Sequence, residues 1–430
     1  MVQGAKPTIY AIDYGTTNSL LGAANADQVW PAVPIEVAAD GETSEIVRSV
    51  QLFNGETWTF GAAAMTGYSF AHDPSHRFIR SIKKFLPSPL FTATTIGPRT
   101  YLLEELIGLF LRELRERANA HFATDVRSVV LGRPAVYDLD PDRDLLAVER
   151  MTRAARFAGF ETVEFFPEPT AAAYDFQREI TEPQTVLIAD FGGGTSDFTI
   201  LRLSQDGFRD EDVLAIGGVS VAGDMLDGCI MRGKVAPQLG SNVTYRKPLG
   251  RNEISLPKSL VNKFCSPAEL SFLTRREIHD VLRQVQRNAL DPIDARRLSL
   301  LFELLDQNLA FALFHEIERV KKALSTEPNV QLHFNLDATA IEASVSEAEF
   351  TELGTPHVAK MMECLDEVMT RAGVQPAAID IVCCTGGTAK VRAVRDELAR
   401  RFGAERLAQH KNFHSVVAGL AQRARVLQRQ

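Results

Sequence analysis

The sequence predicts an α/β protein of two lobes, each built on the same half-domain, with a cleft between them. Two observations carry that reading. At 430 residues, 45% apolar and 24% charged, the chain has an ordinary globular composition and is too long for one core. One device also occurs twice. Residues 9–12 (Ile-Tyr-Ala-Ile) lead into 13–19 (Asp-Tyr-Gly-Thr-Thr-Asn-Ser) and then into the apolar run 20–23. Residues 185–189 (Thr-Val-Leu-Ile-Ala) lead into 190–197 (Asp-Phe-Gly-Gly-Gly-Thr-Ser-Asp) and then into 198–201. Each is an apolar strand, Asp-aromatic-Gly, a small polar turn and a second apolar strand, which reads as a β-hairpin. Recurrence in one chain implies two equivalent halves presenting their turns to a shared cleft.

The turns suit a phosphate. Gly192, Gly193 and Gly194 let a ligand come within hydrogen-bonding distance of bare amides. Asp190 and Asp197 flank that turn and would repel a polyphosphate unless a cation lay between; Mg²⁺, which takes one or two carboxylates plus phosphate oxygens and keeps its other waters, resolves the conflict. Neither turn is followed by Gly-Lys-Ser/Thr, and no GxGxxG opens a helix, so this is neither a Walker A loop nor a dinucleotide fingerprint.

Between the hairpins, residues 28–100 read as strand-rich and loop-rich, punctuated by Pro31, Pro34, Gly41, Gly55 and Gly61. Apolar positions 106, 107, 110, 114 and 118 mark an amphipathic helix over 104–122. A buried strand over 128–131, a helix over 143–158 and a short strand over 163–166 follow. Pro167-Glu168-Pro169 then opens a helix to 177. Beyond the central hairpin, 231–306 is mostly helical after Pro267 and looks like an enlarged outer part of the second lobe. Residues 311–325 form a helix on which Glu318, Lys321, Lys322 and Ser325 share one face. A hairpin over 330–334 and 341–345 and a helix over 347–372 lead to a strand over 380–384. Thr385-Gly386-Gly387-Thr388 and a helix over 390–401 come next, and the last helix spans 415–428.

Four motifs, 13–19, 167–173 (Pro-Glu-Pro-Thr-Ala-Ala-Ala), 190–197 and 385–388, stand in the order and approximate spacing of the nucleotide-binding domain of the seventy-kilodalton heat-shock chaperones. The chain resembles that family over nearly its whole length, and through it the actin, hexokinase and chaperone ATPase superfamily; 231–306 matches poorly. The resemblance implies ATP or ADP with Mg²⁺ between two actin-like lobes, each a ribonuclease H-like half-domain. Lobe I would cover 7–189, with an outer part at about 28–103, and be completed by 412–430; lobe II would cover 190–411, with an outer part at about 225–350.

Site roles follow from the same resemblance. Asp13 and Asp190 would hold Mg²⁺ through water, while Gly15, Thr16, Thr17, Asn18, Gly192, Gly193, Gly194 and Thr195 grip phosphates. Lys83, Glu168 and Asp197 would assist the attacking water or the departing phosphoryl group, and Gly223 marks a second phosphate-side loop. Glu318, Lys321, Lys322 and Ser325 would hold the adenosine. Gly386, Gly387 and Thr388 would contact nucleotide at a glycine-rich helix start, with Lys390 beside the base. Lys322 and Lys390 replace two base-stacking arginines of the family, so adenine affinity is expected to be lower. Asn18 replaces a tyrosine.

The expected activity is slow Mg²⁺-dependent ATP hydrolysis that opens and closes the lobes, with a protein partner or co-chaperone of unidentified kind. The family continues into a peptide-binding domain that this sequence does not reach, so direct clamping of unfolded peptide is not expected. Two rivals share the fold: a small-molecule kinase, whose acceptor pocket 231–306 could supply, and an actin-like structural or regulatory module gated by nucleotide. A net charge of −8 argues against a general nucleic-acid binder. No stretch is long and apolar enough to span a membrane, and nothing at the N-terminus reads as a signal peptide. Five cysteines without metal-ligand spacing point to reduced thiols and a cytoplasmic setting.

Overall fold

In the computed structural model, the described residues are all but 1–4, 38–40, 70–75, 177–181, 205–209, 248–249, 271–272, 274, 308, 338, 410–413 and 430. Among the described residues eleven strands form two core sheets: the ten named next and the short strand Val47–Arg48, which pairs with Asn18 and Ser19 beside the first sheet. The first comprises β1 (Ile9–Tyr14), β2 (Asn18–Ala24), β3 (Val29–Trp30), β4 (Ser128–Arg133) and β5 (Thr162–Pro167); the second comprises β6 (Gln184–Phe191), β7 (Ser196–Leu203), β8 (Val213–Val219), β9 (Ile381–Thr385) and β10 (Leu407–Gln409). Their orders are β5-β4-β1-β2-β3 and β10-β9-β6-β7-β8. In each, a central strand pairs antiparallel with the strand after it and parallel with one reached by a long crossover. One topology has therefore been used twice, as the repeated hairpin predicts.

Burial on both faces explains the unbroken apolar runs in β1 and β6, since a strand covered on each side has no polar face to alternate with. Parallel pairing requires crossovers, and helices supply them. The helix Pro141–Phe157 links β4 to β5; Asp140 caps it by accepting from the Asp142 and Arg143 amides, and proline occupies its first position. The helix Arg392–Phe402 links β9 to β10.

Two helices lie between the sheets. Glu168–Phe176 and Ser415–Leu427 share an apolar cluster with Ile9, Ala11 and Val130 of the first sheet and Val186, Ile188 and Leu201 of the second. A side chain at Gly419 would overlap the Ala171 carbonyl, so glycine permits this close crossing.

Element ends differ from the sequence reading in instructive places. The division drawn at 189/190 lies within β6, whose whole length pairs with β7. Pro167 ends β5, and the helix begins at Glu168; the predicted end at Gln177 lies outside the described residues. A 3-10 turn occupies Gly387–Lys390, so the next helix starts at Arg392. Within the poorly matching stretch, a hairpin (Thr244–Arg246 with Glu253–Ser255) and helices Lys258–Phe264, Arg276–Arg287 and Pro292–Asp306 extend the second lobe's core through Phe264, Leu282, Val285 and Leu298.

Candidate nucleotide-binding site

The two hairpin turns meet. A Cβ on Gly193 would overlap Thr17 Oγ1, and one on Gly194 would stand 2.9 Å from Thr16 Oγ1. Glycine in one turn thus leaves the space that threonine in the other fills. Each turn is fixed by its own backbone. Gly15 has no room for a side chain against the Asn18 carbonyl, and the Gly192 amide donates to the Thr195 carbonyl at 2.9 Å. The start of the helix Gly223–Ile230 docks on the central turn, its Gly223 and Asp224 amides donating to Gly192 and Gly193 carbonyls. Thr388 Oγ1 donates to the same Gly192 carbonyl at 2.9 Å. Gly386, at φ 79°, could not carry a side chain without striking the Phe191 carbonyl.

These turns line one cavity of about 190 Å³. Its acidic end gathers Asp13, Glu168 and Asp190 around Lys83. Lys83 stands on the 3-10 turn Ile82–Phe85, entered through a left-handed Ser81, and its Nζ lies 3.0 Å from Glu168 Oε1. Thr385 Oγ1 donates to Asp190 Oδ1 at 2.7 Å. Burial, with the neighbouring Glu168 carboxylate, pushes Asp13 well above the usual carboxylate range. Burial also raises Asp190 to about 6, against the Thr385 hydrogen bond. Burial would pull Lys83 down, but Glu168, Tyr137 and Asp13 outweigh it and hold the ammonium above its ordinary value.

A surplus of buried carboxylate over ammonium is a donor set that a hydrated divalent cation fits. Among the described residues no three His, Cys, Asp or Glu side chains form a direct ligand set.

At the other end, the helix Ala310–Ala323 presents Glu318, Lys321 and Lys322. Lys322 Nζ is 2.7 Å from Glu318 Oε1, and Arg48 reaches the same oxygen at 3.8 Å from the first lobe's outer part. Burial alone would raise the Glu318 carboxyl, but Lys322, Arg48 and Lys321 hold it at about 2. Lys321 pairs with Asp227 at 2.8 Å and donates to the Gly223 carbonyl at 3.2 Å. Over this end, Phe311 packs on Tyr68 and Phe78 with ring centroids 5.4 and 4.3 Å away, Arg80 stacks on Phe311, and Tyr68 Oη accepts from the Phe311 amide. The outer parts of the two lobes therefore touch across the cleft.

A family model described as Hsp70 protein matches residues 88–232 and 304–430, more than half of the chain. The chain belongs to the Hsp70 family. The actin-like ATPase fold expected from the sequence is that family's fold. The chain is 25% identical over 437 residues to the chaperone protein HscA homolog of Bordetella pertussis, covering 97% of this chain and 57% of that protein. It is 26% identical over 430 residues to the chaperone protein DnaK of Thermus thermophilus, covering 97% and 60%. It thus spans less than two-thirds of the length of these relatives. Between its two matched segments the Hsp70 model leaves 233–303 unmatched, inside the stretch 231–306 that carries no recognisable motif; it does not extend over 1–87 either.

Of the residues singled out in the sequence, the cavity wall gathers Asp13, Gly15, Thr16, Thr17, Asn18, Lys83, Glu168, Asp190, Gly192, Gly193, Gly194, Thr195, Gly223, Glu318, Lys321, Lys322, Gly386, Gly387 and Thr388. Three stand elsewhere. Ser325 lies two residues past the end of its helix at Ala323 and outside the wall. Lys390 ends the 3-10 turn on an exposed position outside the wall. Asp197 is buried behind the turn, accepting from the Ala135 amide at 3.1 Å, and burial with Glu168 nearby raises its carboxyl to about 8. Arg48, Arg80, Asp224, Asp227 and Thr385 were missed. Asp224, Asp227 and Thr385 sit inside quoted motifs, whereas Arg48 has no signal in a local pattern because its partner Glu318 is distant in sequence.

Proposed function

We propose that the chain is an ATP-binding, chaperone-like switch in which slow Mg²⁺-dependent hydrolysis drives opening and closing of the lobes. One observation carries this reading: two acidic hairpins from two halves of the chain bring their turns together on a single cavity. Thr16, Thr17 and the amides of Gly192 to Thr195 would take phosphate oxygens, with Gly223 and Gly386 to Thr388 on the opposite wall. Asp13 and Asp190 would orient hydrated Mg²⁺, which supplies charge neutralisation at the phosphates. Lys83 would offset charge building on the terminal phosphoryl group, and Glu168, paired with it, would orient water. Asp197 would act at one remove, by bracing the turn. Glu318, Lys321 and Lys322 would hold the ribose and base, and the contacts of Phe311 and Glu318 across the cleft would part when nucleotide exchanges. Ser325 and Lys390 would join them only after such a movement.

The reading includes a cytoplasmic location, supported by five cysteines that show no metal-ligand spacing in the sequence, and a protein partner or co-chaperone. No helix among the described residues is long and apolar enough to cross a membrane.

Titration with ATP, with and without Mg²⁺, tests it. Wild type should bind markedly better with the metal, and Asp190→Asn should lose that difference. Equal binding by both proteins would remove the metal role given to Asp190. Phosphate release without any acceptor separates an ATPase from a kinase, and sedimentation with and without ATP separates a monomeric switch from a filament subunit.

A further inference from the structure

The 3-10 turn Ile82–Phe85, which carries Lys83, is held from both ends. It is entered through Ser81, a residue with a side chain at φ 52°, buried to 1% exposure and with no hydrogen-bond partner at its Oγ. A left-handed backbone at such a residue is costly and persists only where its surroundings fix it. At the other end Arg150 reaches in from the helix Pro141–Phe157. Its Nη1 donates to the carbonyls of Phe85, Leu86 and Ser88 at 3.3, 3.0 and 2.8 Å. Lys83 is linked to that clamp, because its own carbonyl accepts from the Leu86 amide at 3.1 Å.

Arg150 is 5% exposed and, among the described residues, forms no ion pair with a carboxylate. Burying a guanidinium is expensive, and here charge-assisted bonds to three carbonyls offset the cost. The arrangement suits both partners. Pro87 stops the turn from continuing as a helix, and carbonyls at such an end need a donor from outside and favour a cation. Ala147, Met151 and Ala154, around Arg150 on the same helix, are buried in the first lobe's core, so the guanidinium stands on a rigid base. Arg150 is not part of the nucleotide cavity's wall.

We propose that Arg150 is a positioning residue: by clamping the carbonyls that end the turn, it fixes where Lys83 Nζ meets Glu168 and the terminal phosphoryl group. It touches neither nucleotide nor reacting atoms and acts through Lys83. The effect on the phosphoryl group rests on the nucleotide reading above; the control of Lys83 by Arg150 does not. An ammonium that offsets developing charge loses up to about 10²-fold in rate when displaced by about 1 Å. Nucleotide affinity is spared, because both phosphate hairpins stay intact.

Two measurements on the full chain test the clamp, using Arg150→Met and Arg150→Lys. In Mg-ATP turnover, Arg150→Met should lower kcat for phosphate release about tenfold or more and leave the Kd for Mg-ATP within about twofold of wild type. Arg150→Lys, which keeps an ammonium near the carbonyls, should recover part of the loss. In a Lys83→Met background, with no ammonium left to misplace, Arg150→Met should lower kcat by less than about twofold further. The second measurement needs no nucleotide: acetylation by an N-hydroxysuccinimide ester, followed at each lysine by mass spectrometry. Arg150→Met should speed it about fivefold or more at Lys83. Lys321, whose side chain is also 11% exposed and is paired with Asp227 in the second lobe, should be unchanged. An unaltered kcat, an equal loss with and without Lys83, no recovery with lysine, or a rise shared by Lys83 and Lys321 each overturns the assignment. Should Arg150→Met fail to fold by circular dichroism, Arg150→Lys takes its place in both measurements, with a smaller loss confined to Lys83 expected. If the wild type releases no phosphate, the nucleotide reading fails and acetylation alone decides the clamp.

Discussion

The two hairpin turns share topology and differ in side chains. The first, Asp13 to Asn18, carries threonines at 16 and 17; the second, Asp190 to Thr195, carries Gly193 and Gly194 where they approach. Two copies of either turn would not serve. Paired threonine turns would collide, and paired glycine turns would leave a gap with no hydroxyls. Duplication supplied the scaffold, and divergence at two or three positions made the halves complementary. The same asymmetry extends to charge, because Asp13 and Glu168 of the first lobe and Asp190 of the second all lie beside Lys83, which the first lobe provides.

That dependence on one ammonium gives the largest expected effect. Lys83→Met removes the partner of Glu168, whose side chain is 9% exposed, and breaking a buried pair from one side costs about 3–5 kcal/mol. Urea unfolding of the nucleotide-free protein at pH 8 should show a loss of that order. The loss should shrink near pH 5, where Asp190, with its carboxyl raised to about 6, takes up a proton. A loss that does not vary with pH would mean that Lys83 serves Glu168 alone and not both lobes.

Complementarity of the turns is broken next. Gly193→Ala introduces a Cβ into Thr17 Oγ1, and overpacking of this kind costs about 1–3 kcal/mol, here expressed as lost Mg-ATP affinity in a titration. Thr17→Gly in the same chain should restore part of it. If the double variant binds no better than Gly193→Ala, the turns do not fit one another in the way described.

Asp197 sharpens the comparison through pH. Its carboxyl is raised to about 8, so between the ordinary carboxylate value and about 8 the folded state holds a proton that the unfolded state has released. Stability from this group is present at low pH and falls as pH rises through that window, by up to ~1.4 kcal/mol per pH unit. Unfolding of Asp197→Asn should have a correspondingly flatter pH dependence from pH 5 to 8 than wild type. Identical slopes would place the titration elsewhere.

Much of this was legible in the sequence because its signals are local. Strands buried on both faces write themselves as apolar runs, and glycine turns mark their own ends, whereas the helix read over 143–158 starts two residues earlier, at Pro141 after the Asp140 cap. The repeated hairpin gave both the duplication and the shared cleft. What stayed hidden depends on distance along the chain. Arg48 meets Glu318 across 270 positions, and the three rings of Tyr68, Phe78 and Phe311 come from both lobes. Asp197, given a role beside the attacking water by the family resemblance, pairs directly with Asp190 across β6 and β7 and lies behind the turn against Ala135. Lys390 and Ser325, given places beside the adenosine, stand outside the cavity wall at the end of a 3-10 turn and past a helix end, where local sequence fixes position least.

The smallest effect concerns the base. Lys322 is tied to Glu318 at 2.7 Å, and an ammonium held by a carboxylate stacks on an adenine less well than a planar guanidinium does. Lys322→Arg keeps the charge beside Glu318 and adds a flat face, so ATP affinity should rise a few-fold, about 0.5–1 kcal/mol. Measured against inorganic triphosphate, which has no base to stack on, the same variant should show no gain. A gain for both ligands would assign the effect to phosphate attraction and move Lys322 from the adenosine end of the cleft to its electrostatics.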